Sequence, residues 1–306
     1  MVIAEEPQTN DQDGLVLEIQ DLEFHYGPNR AVNRFSLSLE KGEILGLIGK
    51  NGAGKTTTIH LILGLLRYNK GLIHVLGLDP KKDTIKILSR CGFFPEQGEP
   101  YAWMRIRELF KLGQYTYRDW DKELSVRLAD QLELDTGKRI SALSKGMLVK
   151  VKLIFALAHH PQLLLLDEPT NGLDPLSRYD LMNIIKTLAA RHEASVLISS
   201  HNLEEISDIA TRICVIDRGQ NMFTGSMEAV KSQFTLLELS PGAVLPENLN
   251  RLVIKSKSNG SAARYLISDK TDPALIHFLE QSGPGAILKN LDLKELFVFL
   301  ARNEDI

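Results

Sequence analysis

The chain has 306 residues, of which 43% are hydrophobic and 25% are charged, a composition typical of globular proteins and unlike that of disordered or collagen-like chains. Lys and Arg number 36 against 39 Asp and Glu, a net charge of −3. No basic stripe is present to neutralise a phosphate backbone, so we expect no direct nucleic-acid binding. Cys91 and Cys214 lack metal-ligand spacing, which disfavours a disulfide framework or a zinc site and favours a reducing cytoplasm.

The first residues and the longest apolar runs bear on where the protein resides. Residues 1–14 read MVIAEEPQTNDQDG, which is acidic and lacks the basic flank and apolar stretch of a signal peptide, so we predict a disordered tail. The leucine-rich runs, such as Leu163–Leu166, are far shorter than the roughly 18 residues that a membrane span requires. We expect that this chain does not cross a bilayer by itself.

Residues 15–230 alternate strand-like apolar runs with helical patterns, the order of a sheet covered by helices, which predicts an α/β domain. Val16–Phe24 and Phe35–Leu39 alternate with period two and predict half-exposed strands, whereas Ile44–Ile48 is continuously apolar and predicts a buried strand. From about residue 100 to 145 the pattern indicates a helical insertion. Short strand and helix patterns over residues 234–306 predict a small second domain.

A glycine-rich segment follows the buried run Ile44–Ile48 and precedes a helical pattern. It fits the phosphate-loop pattern GxxxxGK[ST], in which glycines let the backbone bend around phosphate and a helix N-terminus attracts the anion. We expect Lys55 to place its charge at the β and γ phosphates and Thr56 to bind Mg²⁺. The predicted nucleotide-binding residues here are Gly49, Lys50, Asn51, Gly52, Ala53, Gly54, Lys55, Thr56 and Thr57.

A second buried strand-like run, Leu163–Leu166, ends in two carboxylates, Asp167 and Glu168. In an open parallel sheet ligands bind beyond the carboxyl ends of the strands, so we predict that these carboxylates face the phosphate loop. Asp167 is a predicted ligand of Mg²⁺. Glu168 is the predicted catalytic residue that orients and partly deprotonates the water attacking the γ phosphate.

Other segments stand in a characteristic order around these two motifs. They are Tyr26, FPEQ at 94–97, LSKGM at 143–147, GLD at 172–174 and SSH at 199–201. With these motifs, residues 15 to 225 resemble an ATP-binding-cassette (ABC) transporter ATPase. The resemblance implies a P-loop NTPase fold of ABC type, which combines an antiparallel β subdomain, an inserted helical subdomain and here a small α+β C-terminal domain. It also implies hydrolysis of ATP with Mg²⁺ by two cassettes acting together.

The resemblance also implies roles for individual residues. Tyr26 stacks on the adenine, and His201 senses the γ phosphate as a further catalytic residue. Ser144 and Gly146 begin a helix whose free N–H groups contact the nucleotide held by the phosphate loop of the other cassette. Ser144 has an alternative interpretation as an ordinary N-cap.

The sequence departs from the family pattern at three places. Lys145 stands where the signature usually has glycine, and Met147 stands where it usually has glutamine. Glu96, and not Gln97, follows Pro95 directly, at the position where the family's glutamine is expected. Both Glu96 and Gln97 therefore remain candidate ligands of Mg²⁺.

Six aromatic residues are concentrated in the predicted helical insertion, which suggests either a docking groove or the core of a small subdomain. The resemblance implies that this region receives a helix of a separate transmembrane permease. The residues are Tyr101, Trp103, Phe110, Tyr115, Tyr117 and Trp120.

The leading functional hypothesis is an ATP-hydrolysing transporter subunit that forms a homodimer or heterodimer. Its expected place is cytoplasmic, peripheral on the inner face of the cell membrane through a permease. The ending LDLKELFVFLA resembles the ATPases of bacterial drug, antibiotic and lipid exporters. The alternative is a soluble, non-transport cassette ATPase that regulates ribosomes or DNA.

Overall fold

A computed structural model describes residues 14–98, 101–190, 194–202, 206–229, 235–258, 263–290, 295 and 299. The chain divides after Asn221 into two compact units. Residues 1–13 of the predicted tail (residues 1–14) and most of the predicted C-terminal helix at 293–302 lie outside the described residues. The predicted domain boundary at 230–234 lies outside them as well, and it remains a prediction. None of the described helices is long and apolar enough to cross a membrane.

The first unit contains strands and helices in alternation. Its helices are α1 (Lys55–Ile62), α2 (Pro80–Arg90), α3 (Ile106–Thr116), α4 (Lys122–Gln131), α5 (Lys145–Leu157) and α6 (Pro175–Ala190). Its strands are β1 (Leu15–Tyr26), β2 (Asn29–Glu40), β3 (Ile44–Ile48), β4 (Lys70–Val75), β5 (Cys91–Phe94), β6 (Leu163–Asp167), β7 (Ser195–Ser200) and β8 (Arg212–Asp217), and β9 (Gln220–Ser226) spans the division.

The central sheet has the strand order β5-β6-β7-β3-β8-β9, and its pairs from β5 to β8 are parallel. All residues of β3 and β6 are buried, as expected for strands covered on both faces. The carboxyl ends of β3, β6 and β7 therefore lie at one edge of the sheet, where ligands of open α/β sheets bind. The predicted buried strand Ile44–Ile48 coincides with β3.

A separate three-stranded antiparallel sheet has the order β2-β1-β4. Leu17, Ile19 and Leu22 of β1 are 0–2% exposed and share one hydrophobic core with Ile59 and Ile62 of α1. This shared core joins the sheet that carries Tyr26 to the helix that follows the phosphate loop. The α/β fold with an antiparallel subdomain agrees with the sequence prediction.

Helices α3, α4 and α5 enclose a second core, which contains Ile106, Phe110, Ala129 and Ile154. A short 3-10 helix, Ile140–Ala142, precedes α5. A Cβ atom on Gly113 of α3 would lie 2.2 Å from the Trp120 ring, so glycine is required for this close packing.

The aromatic cluster divides into a packed set and an exposed set. Phe110, Tyr117 and Trp120 pack inside, since the Trp120 ring centroid lies 6.2 Å from that of Phe110 and 6.3 Å from that of Tyr117. The remaining members point outward and are 53%, 68% and 79% exposed; they are Tyr101, Trp103 and Tyr115.

The second unit is an antiparallel sheet with a helix. The elements are β10 (Thr235–Leu239), a 3-10 helix (Glu247–Leu252), β11 (Val253–Ser258), β12 (Ala263–Ile267), α7 (Pro273–Ser282), a 3-10 helix (Gly283–Gly285) and β13 (Ala286–Asn290). The sheet has the order β11-β12-β10-β13, and its core includes Leu237, Leu249, Ile267 and Leu275. This α+β arrangement is the one predicted for the C-terminal domain.

Candidate nucleotide-binding site

The glycine-rich segment after β3 forms a loop in which neighbouring atoms leave no room for a side chain at Gly49 and Gly54. A Cβ atom on Gly49 would lie 2.5 Å from the Ile216 carbonyl oxygen, and one on Gly54 would lie 2.6 Å from that of Ala31. Gly54 has a φ of 109° and precedes α1 without a side-chain cap. The first-turn N–H groups of a helix have no intrahelical acceptors, so this loop is suited to bind an anion.

Lys55 begins α1 and is buried, with 6% of the residue exposed. Its Nζ donates to the carbonyl oxygens of Gly49 at 2.6 Å and Lys50 at 3.1 Å. The same ammonium lies 2.9 Å from Oε1 of Glu168 as an ion pair without hydrogen-bond alignment. The structure therefore brings together the two residues predicted from separate motifs.

The two carboxylates after β6 are held by the neighbouring strand β7. The Ser199 hydroxyl donates to Oδ1 of Asp167 at 2.7 Å, and the backbone N–H of Glu168 donates to the same hydroxyl oxygen at 3.0 Å. Asp167 and Glu168 are 1% and 5% exposed. Glu168 has a φ of 47°, a conformation that costs a non-glycine residue energy and is concentrated at functional sites.

His201 follows β7 and contacts the Glu168 carboxylate. Its Nδ1 lies 2.7 Å from Oε2 of Glu168, and its backbone N–H donates to that oxygen at 3.3 Å. The His201 side chain is 47% exposed, whereas the Glu168 side chain is 4% exposed. Parallel pairing of β6 with β7, in which Asp167 lies opposite Ser199, brings these strand ends together.

The segment after β5 contacts the segment after β6. Asn171 Nδ2 donates to Oε1 of Glu96 at 3.1 Å. The backbone N–H of Asn171 donates to the Glu168 carbonyl oxygen at 3.1 Å. Glu96 is partly buried, whereas Gln97 is exposed. Thr56 is partly buried in the first turn of α1.

The predicted signature segment forms the N-terminus of α5. The Ser144 hydroxyl accepts a hydrogen bond from the Met147 N–H at 3.2 Å, so Ser144 is an N-cap, and Ser144 and Lys145 are exposed. A Cβ atom on Gly146 would lie 3.2 Å from the Ser177 hydroxyl, at the start of α6.

Asp174 caps the N-terminus of α6. Its Oδ1 accepts hydrogen bonds from the Leu176 and Ser177 N–H groups, and its Oδ2 accepts one from the Ser177 hydroxyl at 2.7 Å. The hydrogen bonds from Ser177 lower the pKa of Asp174. This keeps the cap ionised beside Gly146.

Tyr26 lies at the end of β1 with 49% of the residue exposed. Its ring meets that of Phe24 edge to face, with centroids 4.7 Å apart. One side of the Tyr26 ring is thus supported while much of its surface is accessible.

Ser199 and Asn171 have roles that the sequence did not predict. Ser199 is a polar residue at the end of a buried strand, which is a usable signal because buried hydroxyls need partners. Asn171 carried no such signal, since a polar residue in a turn is common. Its contact with Glu96 depends on the relative position of two loops.

The fold and the site define a P-loop NTPase: a phosphate loop after one buried parallel strand faces acidic residues after another. Comparison with known proteins narrows the class. Residues 32–171 match the family model described as ABC transporter. The chain is 34% identical over 210 residues to the bacitracin transport ATP-binding protein BcrA of Bacillus licheniformis, which covers 67% of this chain and 68% of the relative.

Two further matches extend the comparison. The Nod factor export ATP-binding protein I of Burkholderia lata is 28% identical over 304 residues, which is 94% of this chain and 97% of the relative. A solved ATP-binding subunit of an ABC transporter superposes with a TM-score of 0.65 at 26% identity and covers 71% of this chain and 92% of that one.

This chain belongs to the ATP-binding subunits of ABC transporters, which bind and hydrolyse ATP. Proteins of this family work as dimers with separate transmembrane subunits. The sequence-based assignment of family, fold and ATPase activity is confirmed, and the alternative of a regulator acting on ribosomes or DNA is not favoured.

Proposed function

We propose that this protein drives export, and that two copies close around ATP so that each completes the site of the other. The observation that carries the proposal is the position of Glu168, whose buried carboxylate lies between the Lys55 ammonium and the His201 imidazole. A carboxylate in reach of a phosphate-binding lysine has the position required of a general base for γ-phosphate hydrolysis.

The phosphate loop and Lys55 bind the triphosphate. The glycine cradle and the N-terminus of α1 provide backbone N–H donors, and Lys55 provides a positive charge. The Lys55 ammonium donates to the carbonyl oxygens of Gly49 and Lys50 and forms an ion pair with the Glu168 carboxylate. Phosphate oxygens compete for the same donors, so ATP binding frees the Glu168 carboxylate to accept a proton from water.

Thr56 and Asp167 are the residues that would hold Mg²⁺. This ion is usually bound by one or two carboxylates together with substrate phosphates. Among the described residues no group of three or more His, Cys, Asp or Glu side chains forms a metal site, which fits an ion shared with the nucleotide. Asp167 fits the role, since Ser199 orients its buried carboxylate. Held there, Mg²⁺ would supply positive charge to neutralise the phosphates.

Between the two alternatives for a further Mg²⁺ ligand, we favour Glu96 over Gln97. Glu96 is partly buried and tied to Asn171, next to the turn that contains Glu168. Gln97 is exposed, so fixing its side chain on the ion would cost more conformational entropy than fixing that of Glu96.

Glu168 and His201 act on the attacking water and the γ phosphate. Glu168 accepts the proton of the water, a role that contributes roughly 10² to 10⁴ in rate. A histidine ring donates through both nitrogens only as the imidazolium. In that form His201 holds one carboxylate oxygen of Glu168 through Nδ1, and its partly exposed ring donates to the γ phosphate through Nε2. The exposed Tyr26 ring stacks on the adenine.

The exposed start of α5 reaches the nucleotide of the second copy. Ser144 and Gly146 lie at a capped helix end, where N–H groups and the helix dipole favour an anion. Within its own chain this end lies beside Ser177 and Gly172. A second cassette is therefore needed to bring a phosphate loop to it.

Export is inferred from relatives whose names state bacitracin transport and Nod factor export. We propose that a separate transmembrane permease binds the exposed rings of Tyr101 and Trp103 at the inner face of the cell membrane. The protein is then peripheral to the membrane through that permease.

The test mixes two variants that are each inactive. Lys55→Ala removes the phosphate-binding cation, and Ser144→Arg blocks the helix end offered to the other copy while sparing nucleotide binding. A mixed dimer keeps one intact composite site, so random pairing should restore about a quarter of the wild-type ATPase rate. Lack of recovery, or full activity of Ser144→Arg alone, would contradict a shared site.

A further inference from the structure

Lys152 is a charged residue between buried apolar residues in the middle of α5. It is 8% exposed and lies between Val151 and Leu153, which are 0% and 1% exposed. Placing an ammonium among apolar side chains costs free energy unless polar groups compensate for the lost water. Lys152 Nζ donates to the Pro95 carbonyl oxygen at 3.2 Å and lies 5.5 Å from the Phe94 ring centroid, a cation–π distance.

Close packing of α5 on β5 makes this contact possible. A Cβ atom on Gly92 would lie 2.3 Å from the Ala156 carbonyl oxygen, so the helix backbone lies directly against the strand. Lys152 precedes Ala156 by four residues and lies on the same face of the helix. It therefore reaches the residues that follow β5.

Short contacts continue from Pro95 to the backbone of Glu168, the residue that we assign as the general base. Glu96 follows Pro95 and accepts a hydrogen bond from the Asn171 side chain. The Asn171 N–H closes the turn on the Glu168 carbonyl oxygen. Helix α5 begins at Lys145 with Ser144 as its N-cap, so one helix carries both the capped end offered to the second copy and the cation that holds Pro95.

We infer that Lys152 is a positioning residue for ATP hydrolysis: by fixing the Pro95 carbonyl it sets Glu96 and Asn171, and through them the turn that holds Glu168. The inference rests on the proposed roles of Glu168 and Ser144. Lys152 does not touch the reacting atoms. It couples the helix end that faces the second copy to the carboxylate that activates water.

The experiment compares Lys152→Met, which removes the charge at similar length, with Lys152→Arg, which keeps a cation. In the full-length protein we expect Lys152→Met to lower kcat about tenfold, with the KM for ATP and the Tm close to wild type. Lys152→Arg should recover most of kcat. If Lys152 were merely structural, Lys152→Met would instead lower Tm, or would change neither kcat nor KM. Either result would overturn the inference.

Lys150→Met is the matched control, because Lys150 lies on the same helix and donates to the Leu132 carbonyl oxygen at 3.3 Å. We expect this variant to retain the wild-type kcat. An equal loss in both variants would overturn a specific role for Lys152.

A double-mutant cycle tests the connection to the Glu168 turn. If Lys152 acts through Asn171, then Asn171→Ala should reduce kcat less in the Lys152→Met background than in the wild type. Additive losses would overturn the connection. Glu168→Gln separates the two proposals: its normal turnover would refute the base assignment, whereas an inactive Glu168→Gln with a normal Lys152→Met refutes only this inference.

Discussion

The Lys55 ammonium lies 2.9 Å from Oε1 of Glu168, and the two side chains are 5% and 4% exposed. A buried ion pair contributes little net stability, because desolvation offsets the attraction, but removal of one partner leaves an uncompensated charge. Each residue therefore stabilises the buried position of the other until phosphate competes for Lys55. Glu168 therefore has a structural role, as the partner of Lys55, when phosphate is absent, and its catalytic role begins when phosphate takes the place of that partner.

Glu168→Gln should abolish most hydrolysis while ATP binding persists. The amide cannot accept the proton of the attacking water, so turnover should fall by roughly 10² to 10⁴. ATP should then hold the dimer closed, and single-turnover kinetics with size-exclusion chromatography measure both effects. Near-normal turnover would remove Glu168 from the base role.

Lys55→Ala should abolish nucleotide binding and also destabilise the protein. The expected loss is about 3 kcal/mol, the lower range for removal of one partner of a buried ion pair. The double variant Lys55→Ala with Glu168→Gln removes both charges and should recover much of that loss. Urea unfolding measures the stability, and equal instability of the single and double variants would show that the pair is not coupled.

Glu96→Gln and Gln97→Ala distinguish the two candidate Mg²⁺ ligands. Glu96→Gln removes a negative charge but keeps an acceptor for Asn171, so it should raise the Mg²⁺ concentration needed for half-maximal turnover. Gln97→Ala should shift it less, because that side chain is exposed. Titration of the ATPase rate with Mg²⁺ checks both. The reverse order would assign the role to Gln97, and no change in either would eliminate both.

The sequence predicted best where one physical signal dominated. Ile44–Ile48 and Leu163–Asp167 are strands with every residue buried, and continuous apolar runs predict that directly. The half-exposed strands were predicted too short, since β1 and β2 extend over 12 residues each. Several of the added residues, such as His25 and Arg30, are polar, and they form strand because the partner strand pairs with them.

Contacts between distant loops were beyond the reach of pattern analysis. The contact of Asn171 with Glu96 joins residues 75 positions apart, and that of Lys152 with Pro95 spans 57 positions. The division of the aromatic cluster into inward and outward sets could not be predicted for the same reason, because it depends on contacts between distant segments. Residue type fixes the need for burial, but the packing of α3 against Trp120 decides which rings obtain it.

Tyr101→Ala with Trp103→Ala should break the complex with the permease while basal ATP binding is spared. The two rings are 53% and 68% exposed, with centroids 6.4 Å apart, and burial of exposed aromatic rings is a main source of interface energy. Ile85→Ala is the control, since Ile85 is 84% exposed on α2. Co-purification with the membrane subunit is the measurement, and undiminished recovery of the complex would refute this docking surface.

His159 should make the stability of the first unit depend on pH. It is 3% exposed, its ring stacks on Tyr117 with centroids 4.0 Å apart, and its Nε2 donates to the Cys91 carbonyl oxygen at 3.1 Å. Burial lowers the pKa of His159. Burial also raises the pKa of Tyr117, and it raises that of the Cys91 thiol to about 12, so both neighbours are uncharged near neutral pH.

The direction of this pH dependence follows from the number of protons that the folded and the unfolded chain bind. Below about pH 6.5 the unfolded chain protonates this histidine while the folded chain resists it, so stability falls as the pH decreases. One such group gives a slope of at most about 1.4 kcal/mol per pH unit. His159→Phe keeps the stack on Tyr117 and should flatten the slope between pH 7 and 5, as measured by urea unfolding. His160→Gln, at a ring that is 61% exposed, should retain the slope; an unchanged slope in His159→Phe would assign it to other groups.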